Sequence, residues 1–453
     1  MCLSVFAVLL AAAAGLGQSS ADWQAGVAKV NITPNEPIRM AGFASRTHPS
    51  EGVRLNLYAK ALALRDEAGA VSVLVTLDVC DISSELTQRV AEQCRTRSGV
   101  PRERLALNVS HTHSGPIVAL GEISGWYGLT PAEEQVVHRY TNTLIDQIVE
   151  AVGLSIRDLA PAALSFQQGF AGIAVNRRRV WQRQLPGPVD QDVPVLAVRR
   201  PDGALRAVVM GYSCHATVLN DYQISGDWPG FAQQEIETAH PGASAMFVQG
   251  AGADANALPR QTVELAQGYG RILAAAVEDV LQRRMRPMAG PLKAAFETVE
   301  VPFRSAPSRE ELEKRVKDKD PMRRRQVQHL LDVLNRDGKL PARYPYPVQV
   351  WQFGTGPRMI ILGGEVVADY SLRLKKQFGW EDTWVAGYSN DVFAYIPSLR
   401  VLKEGGYEGG DAMLGDGFPA PFGAAVEEVI VEKISEMVQR LGASAQNPSG
   451  LIQ

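Results

Sequence analysis

Three histidines fall where a metal ion could use them. Ser110-His111-Thr112-His113 follows the apolar run Leu105–Val109, and Cys214-His215 follows Arg206–Tyr212. Such β-branched and aliphatic runs predict buried strands. Residues just beyond the carboxyl ends of strands line the ligand crevice in open α/β sheets. On extended chain alternate side chains share a face, so His111 and His113 can point into one cleft. Imidazole nitrogens supplemented by a carboxylate form a catalytic zinc set that leaves a position open for water. Three more polar stretches follow predicted strands. They are Gly250 to Asn256 after Ala245–Gln249, Gly363-Gly364-Glu365 after Met359–Leu362, and Tyr388 to Asp391 with Tyr395 after Thr383–Gly387. Five such ends point to one convergent site, and Glu365 places a carboxylate at one of them. His48, His138, His240 and His329 fall on predicted helices or loops without ligand partners and read as ordinary histidines.

Other groups near these stretches admit two readings. Arg177 and Arg178, after Asn176, can clamp a carboxylate or phosphate of a substrate, or form a solvated basic loop. Asp227 can orient a metal-bound histidine or stabilise the turn Ser225 to Gly230. Cys214 reads as a small buried residue at a strand end more readily than as a nucleophile.

The elements that must hold these residues alternate along the chain. Strands are predicted at Val71–Val79, Leu105–Val109, Val195–Val198, Arg206–Tyr212, Ala245–Gln249, Leu292–Phe303, Val348–Phe353, Met359–Leu362 and Thr383–Gly387. Helices are predicted at Ser83–Thr96, Pro131–Ser155, Val263–Arg283, Val367–Phe378 and Ala424–Leu441. Thr130, Pro131 and the glutamates that follow favour a helix start there. The segment from Asp22 to Gly42, with Pro34 and Pro37, reads as irregular. The result is an α/β fold of mixed β-sheets flanked by helices, in a single large domain over residues 22–441. Within it, residues 308–336 form a charged helical insertion, a solvated hairpin or a lid.

Residues 1–21 carry an apolar run, Leu3 to Leu16, then small residues, and read as an export signal cleaved before Asp22. The run is too short for a comfortable membrane span, and no later segment is apolar for long enough. The mature chain is therefore expected to be periplasmic or secreted, with a flexible tail over residues 442–453. The 453 residues are 45% hydrophobic and 21% charged, ordinary for a folded protein. A formal net charge of -3 gives no general field for nucleic acid. Four cysteines without Cys-x-x-Cys spacing make neither a disulfide framework nor a thiolate zinc site. There is no Gly-x-Ser-x-Gly elbow and no Walker A loop. Gly250-Ala251-Gly252 lacks the immediate helix that a dinucleotide fingerprint needs.

His111 to Pro116, reading His-Thr-His-Ser-Gly-Pro, resembles the histidine motif of the neutral/alkaline non-lysosomal ceramidase family. Gly363-Gly364-Glu365 is similar to its Pro-Gly-Glu turn, and Gly387 to Asn390 with Tyr395 to its Gly-Leu-Ser-Asn segment and following tyrosine. Tyr407 to Gly410, Gly26 to Thr33 and Met40 to Gly42 also fit. The resemblance implies a ceramidase-like catalytic domain in which His111, His215, Glu365 and Tyr395 bind Zn2+. It also places His113 beside the activated water, as stabiliser of the developing oxyanion. The family's Gly-Asp-Val-Ser-Pro-Asn stretch corresponds to Ala253 to Ala257. Asp254 is kept, and Asn256 stands where the family has its essential serine. An amide can donate a hydrogen bond but cannot act as a nucleophile. The immunoglobulin-like domain that follows in the family's ceramidases is not found after the last helix. Both departures bear on the substrate rather than on the metal chemistry.

The expected function is zinc-dependent hydrolysis of an amide in an N-acyl-sphingosine or another N-acyl compound, by activated water, with Asp254 and Asn256 in the site. Two alternatives are a hydrolase of the same fold acting on an unrelated small amide or ester, and a non-catalytic exported binding protein. The expected partner is a small-molecule or lipid amide.

Overall fold

The computed structural model describes residues 23–121, 127–181, 183–184, 187–414 and 417–443. The expected export signal, and all of the expected tail but its first two residues, lie outside them. Two sheets form the centre. The larger has nine strands. Its main path runs Ser244–Gln249, Leu205–Tyr212, Asp192–Arg199, Ala160–Phe170, Trp23–Asn31, Tyr58–Arg65, Val71–Leu77, Leu105–Val109, with Arg286–Pro287 beside Ala160–Phe170. The smaller orders Leu292–Pro302, Arg343–Phe353, Arg358–Leu362 and Thr383–Ala386. Both mix parallel and antiparallel pairs.

The sheets pack face to face over one apolar layer. Leu62, Leu74, Phe166 and Met246 come from the larger sheet, and Trp351, Phe353, Ile361 and Trp384 from the smaller. Burying each large apolar side chain there contributes about 1.5–3 kcal/mol. Helices cover the outer faces. Ser84–Ser98 and Pro131–Arg157 cover one half of the large sheet, Asp227–Ala239 and Val263–Gln282 the other, and Val426–Ala443 the small sheet. Start signals act as expected. The Ser83 hydroxyl accepts from the Leu86 N–H, and Thr130 forms a reciprocal capping box with Glu133.

Most expected strands and helices appear within a few residues of their expected ends, but the first segment differs. Trp23–Asn31 is a strand, pairing with Tyr58–Arg65 and Ala160–Phe170 in the middle of the large sheet. All three lack the β-branched density that marks the others. Ala25, Ala59, Ala61, Ala63 and Ala162 are fully buried there. Strand identity at such sites comes from close neighbours rather than from propensity.

The large sheet curls until its two edge strands meet, and Asn108 joins them. Its side-chain oxygen accepts from the Gln249 N–H (2.8 Å). Its amide nitrogen donates to the carbonyls of Gln249 (3.2 Å) and Gly387 (2.8 Å) and to the Ser389 hydroxyl (3.0 Å). Single bridges, Asn108 to Ser389 and Gly250 to Ala386, bring in the end of Thr383–Ala386. Three strand ends from both sheets thus meet at one buried amide. The charged insertion comprises helices Arg309–Arg315 and Pro321–Asp337 around Leu312, Val327, Leu330 and Leu331. It packs against Phe418, whose carbonyl accepts from Gln326 (2.9 Å), and contributes no residue to the walls of the cleft described next.

Candidate active site

The five strand ends named from the sequence converge. His111 lies two residues beyond Leu105–Val109, His215 three beyond Leu205–Tyr212, and Glu365 three beyond Arg358–Leu362. Glu365 pairs in parallel with Tyr395, which aligns those two residues. Asn256 sits in the short strand Ala255–Ala257, paired with Ala174–Asn176, and Arg177 follows that partner strand. His111 is not on extended chain as expected. It is left-handed (φ 56°), and so are Tyr388 (48°) and Asp227 (54°). Strain of this kind in non-glycine residues persists where the surroundings over-determine it, often at functional sites. The turn at His111 still brings its Nε2 to 3.1 Å from Nε2 of His113.

The tautomers follow from the partners. His111 Nδ1 lies 3.0 Å from the Cys80 carbonyl, and His215 Nδ1 lies 2.9 Å from the Gly252 carbonyl. A carbonyl can only accept, so both Nδ1 atoms carry protons. That leaves Nε2 as the lone-pair nitrogen of each neutral ring, as in metal-ligating histidines held by a carbonyl behind them, with Arg177 Nη1 3.4 Å from His215 Nε2. Both Nε2 atoms face one carboxylate oxygen, Glu365 Oε2, at 3.3 Å from His111 and 3.0 Å from His215. The Tyr388 hydroxyl donates to the same oxygen (3.2 Å). A buried carboxylate among nitrogen lone pairs requires a cation, either a proton or a metal ion. The ligand atoms of His111, His215 and Glu365 all lie within 4.8 Å of one another, so this donor set fits zinc.

The electrostatics agree. Burial would raise the Glu365 carboxyl, yet the two histidines, His111 first, hold it well below the usual range. Burial and then the Arg177 cation bring His215 down to about 4. Burial, then His111 and His215, hold His113 well below the ordinary imidazole value, so it is neutral. His111 is the exception. Burial lowers it, but Cys80, Glu365 and Asp81 outweigh that and keep it well above normal. A second grouping, Cys80 with His111 and His113, also lies close enough for a metal. Burial, then Asp81, pushes the Cys80 thiol up to about 12, which disfavours a thiolate.

His113 is set by its surroundings. Its Nδ1 is buried without a hydrogen bond, its backbone carbonyl accepts from buried Arg46, and the Phe43 ring meets its edge at 4.8 Å. Gly42, left-handed at φ 87°, lies so close that a Cβ would stand 2.2 Å from His113 Cγ. Only glycine fits. Arg177 reaches the cluster by donating to the Tyr395 hydroxyl (3.0 Å) and to Glu408 (2.7 Å). Arg178 turns its guanidinium to Glu408 (2.6 Å) and Glu404 (3.1 Å), so its charge is already matched. Buried Asp254 accepts from Asn176 (2.8 Å) and the Ala368 N–H (3.0 Å) and fixes the loops on either side. Asn256 accepts from the Thr217 hydroxyl (3.5 Å).

Asp227 stabilises its turn. It accepts from the Leu219 and Trp228 N–H groups (2.8 and 2.6 Å) and meets His215 only through Trp228, whose indole donates to the His215 carbonyl (2.9 Å). Cys214 is fully buried, and burial raises its thiol. Among the other histidines, His240 pairs with Glu278 (2.7 Å) and His48 stacks on Tyr222 (3.7 Å). Sequence reasoning gave no role to Arg46, Asn108 or Phe43, and marked Tyr388 only as part of a stretch past a strand end. Asn108 left one trace, a lone amide inside the apolar strand Leu105–Val109.

Two cavities of about 550 and 590 Å³ open on either side of the cluster. They share Gly42, His113, Tyr395 and Tyr407. Sizes of this order suit small ligands.

Comparison with known proteins supplies a family. Residues 23–258 match the family described as neutral/alkaline non-lysosomal ceramidase, N-terminal. Neutral ceramidase 3 of Arabidopsis thaliana is 28% identical over 163 residues, covering 35% of this chain and 22% of that protein. The neutral ceramidase of Drosophila pseudoobscura pseudoobscura is 27% identical over 114 residues, 24% of this chain and 16% of that one. The matched stretches thus span less than a quarter of either relative. The crystal structure of neutral ceramidase from Pseudomonas aeruginosa superposes with a TM-score of 0.74 at 18% identity, over 95% of this chain and 76% of that one. The fold expected from the sequence is therefore that of the bacterial structure.

Proposed function

Because the chain belongs to the neutral/alkaline non-lysosomal ceramidase family, we propose that it is a zinc-dependent hydrolase cleaving the amide bond of an N-acyl compound, an N-acyl-sphingosine or a related substrate. The observation that carries this reading is the convergence of two backbone-anchored imidazoles on Glu365 Oε2. His111, His215 and Glu365 would hold the ion, with Tyr395 as a fourth ligand. When bound, zinc polarises a carbonyl and brings the pKa of a coordinated water to about 7.

The remaining steps fall to side chains. His113, neutral and facing both cavities, would donate a hydrogen bond to the scissile carbonyl oxygen as charge develops there, where a fixed donor is worth most. Arg177 would hold the Tyr395 hydroxyl in register. Asp254 would act through position alone, tying Asn176 to Ala368. Asn256 would orient the carbonyl by its amide N–H, and since it cannot be acylated, attack by water without an acyl-enzyme is the simplest course. The proposal includes export, on the strength of the apolar run Leu3 to Leu16. Among the described residues no helix is long and apolar enough to cross a membrane.

The test is elemental analysis and amide hydrolysis by the purified protein beside His111→Ala and His215→Ala. About one zinc per chain, lost in both variants together with the activity, is the expected result. Zinc-free wild-type protein after zinc has been supplied, or variants that keep full activity, would overturn it.

A further inference from the structure

The two cavities differ in charge. The larger is lined by polar groups, the carboxylates Asp81 and Glu85 among them, together with an apolar strip of Ile117, Leu120, Val392 and Phe393. The other holds the amide of Asn256, the hydroxyl of Thr217 and three arginines. Two of those arginines are matched, Arg177 by Glu408 and Arg178 by Glu404 and Glu408. Arg260 is not. It makes no ion pair or hydrogen bond among the described residues.

Its backbone nonetheless holds it in place. The Tyr269 hydroxyl donates to the Pro259 carbonyl (2.8 Å), and the Gln261 N–H donates to the Val218 carbonyl (2.7 Å). Strand Ala255–Ala257, which carries Asn256, ends three residues before Arg260. The guanidinium is half-buried, and burial first, then the Arg177 charge, lowers its pKa against a smaller opposing pull from Asp227. An anion would relieve both effects. A guanidinium on a cavity wall, its backbone anchored and itself without an ion pair among the described residues, is suited to bidentate capture of a carboxylate or phosphate.

We propose that Arg260 receives an anionic oxygen group carried by the amine portion of the substrate, so that this hydrolase takes anionic N-acyl compounds. The acyl chain then lies along the side chains of Ile117, Leu120, Val392 and Phe393 in the larger cavity, where Asp81 and Glu85 would repel an anion, and the charged end lies in the cavity of Asn256 and Thr217. The scissile amide falls between them, at His113. This inference rests on the hydrolase reading above for its chemistry, but binding tests it separately.

Three probes of similar length decide it, offered to the zinc-loaded full chain: N-hexanoylglycine, uncharged N-hexanoylethanolamine, and the O-phosphate of the latter. Hydrolysis is followed by release of hexanoate, and affinity is read by calorimetry. At least one anionic probe should bind and react with a KM or Kd at least about tenfold below that of the neutral probe, about 1.4 kcal/mol. Which anion is preferred separates a carboxylate substrate from a phosphate one. Arg260→Ala should bring the ratio close to one, and Arg260→Lys should keep part of it. Equal affinity of wild-type protein for charged and neutral probes would overturn the inference, as would an Arg260→Ala variant that keeps the full preference. Should no probe be hydrolysed, the hydrolase reading fails for this substrate class, while charge-dependent binding lost in Arg260→Ala still supports the anion site.

Discussion

Two buried polar clusters in this molecule are built on opposite terms. Around Lys375 every charged group has a direct partner. The ammonium donates to both oxygens of Asp190 (2.7 Å each) and to Asp192 (2.8 Å), and the Ser371 hydroxyl donates to Asp190 (2.6 Å). Around Glu365 the groups converge without closing. Two imidazole nitrogens face one carboxylate oxygen, a third imidazole faces the first, and His113 Nδ1 has no partner. Both clusters lie among apolar cores, where an unmatched polar group is costly. The first ties the start of strand Asp192–Arg199 to helix Ala368–Phe378. In the second, two imidazoles and a carboxylate converge on one position, which a proton or a metal ion would fill. Burial and charge therefore do not by themselves mark a functional site. The mark is convergence of like donors or acceptors that cannot satisfy one another.

That contrast breaks most sharply at Glu365. Glu365→Gln keeps the shape but removes the charge on which His111 and His215 converge. Amide hydrolysis should fall roughly ten-thousandfold, about 5 kcal/mol of barrier, and zinc should be lost, while thermal unfolding shifts little. Zinc content and turnover at the wild-type level would show that the carboxylate is not a ligand. Lys375→Met is the mirror experiment. It strands Asp190 without its cation, and breaking a buried pair from one side costs about 3–5 kcal/mol. Denaturant unfolding should register that loss, whereas zinc bound per folded molecule should stay the same. A variant that loses zinc before it loses stability would erase the distinction between the clusters.

The sequence revealed the two clusters to different degrees. His111, His113, His215 and Glu365 were legible because each follows an apolar run dense in Val, Ile or Leu, and a polar residue past a strand end has few structural reasons to be there. Asp190, Asp192 and Lys375 were not, since 185 residues separate the Asp190 and Lys375 partners and nothing local in either stretch calls for the other. The same holds for the fold. Helix starts at Ser83 and Thr130 are local events and could be read directly. The central strand Trp23–Asn31 depends on alanine-rich neighbours at a distance and was read as irregular chain. Arg46 supports the site through contacts set only by the closed sheet, and the sequence held no sign of its role; Tyr388 was marked only as the first residue past a strand end, not as a donor to Glu365.

Asn108 tests that closure. Asn108→Ala removes four hydrogen bonds and strands the Gln249 N–H in the interior, while the Gln249 carbonyl keeps the Gly387 N–H and the Gly387 carbonyl keeps the Ser389 hydroxyl. A loss of about 1–3 kcal/mol of stability is expected, with kcat reduced more than KM as His111 and the loop at Tyr388 lose their common anchor. An unchanged kcat in a destabilised variant would mean that the strand ends are held by other contacts.

The smallest effect is expected at Asn256. Its oxygen is engaged weakly by Thr217 at 3.5 Å, and its amide nitrogen has no hydrogen bond among the described residues, on the wall of the cavity. If that N–H orients the scissile carbonyl, Asn256→Ala should lower kcat/KM about tenfold, near 1.4 kcal/mol, with zinc and unfolding unchanged. Asn256→Asp should fall further, because an ionised carboxylate of the same shape can only accept and would repel the carbonyl oxygen. Asn256→Ser restores a hydroxyl that could be acylated. Trapping an acyl-enzyme in that variant alone would show that the wild-type chain runs the reaction by water through the lack of a nucleophile. Trapping one in wild-type protein, on Thr217 for instance, would mean that a hydroxyl beside Asn256 has taken over the serine's role, and the water route would be abandoned.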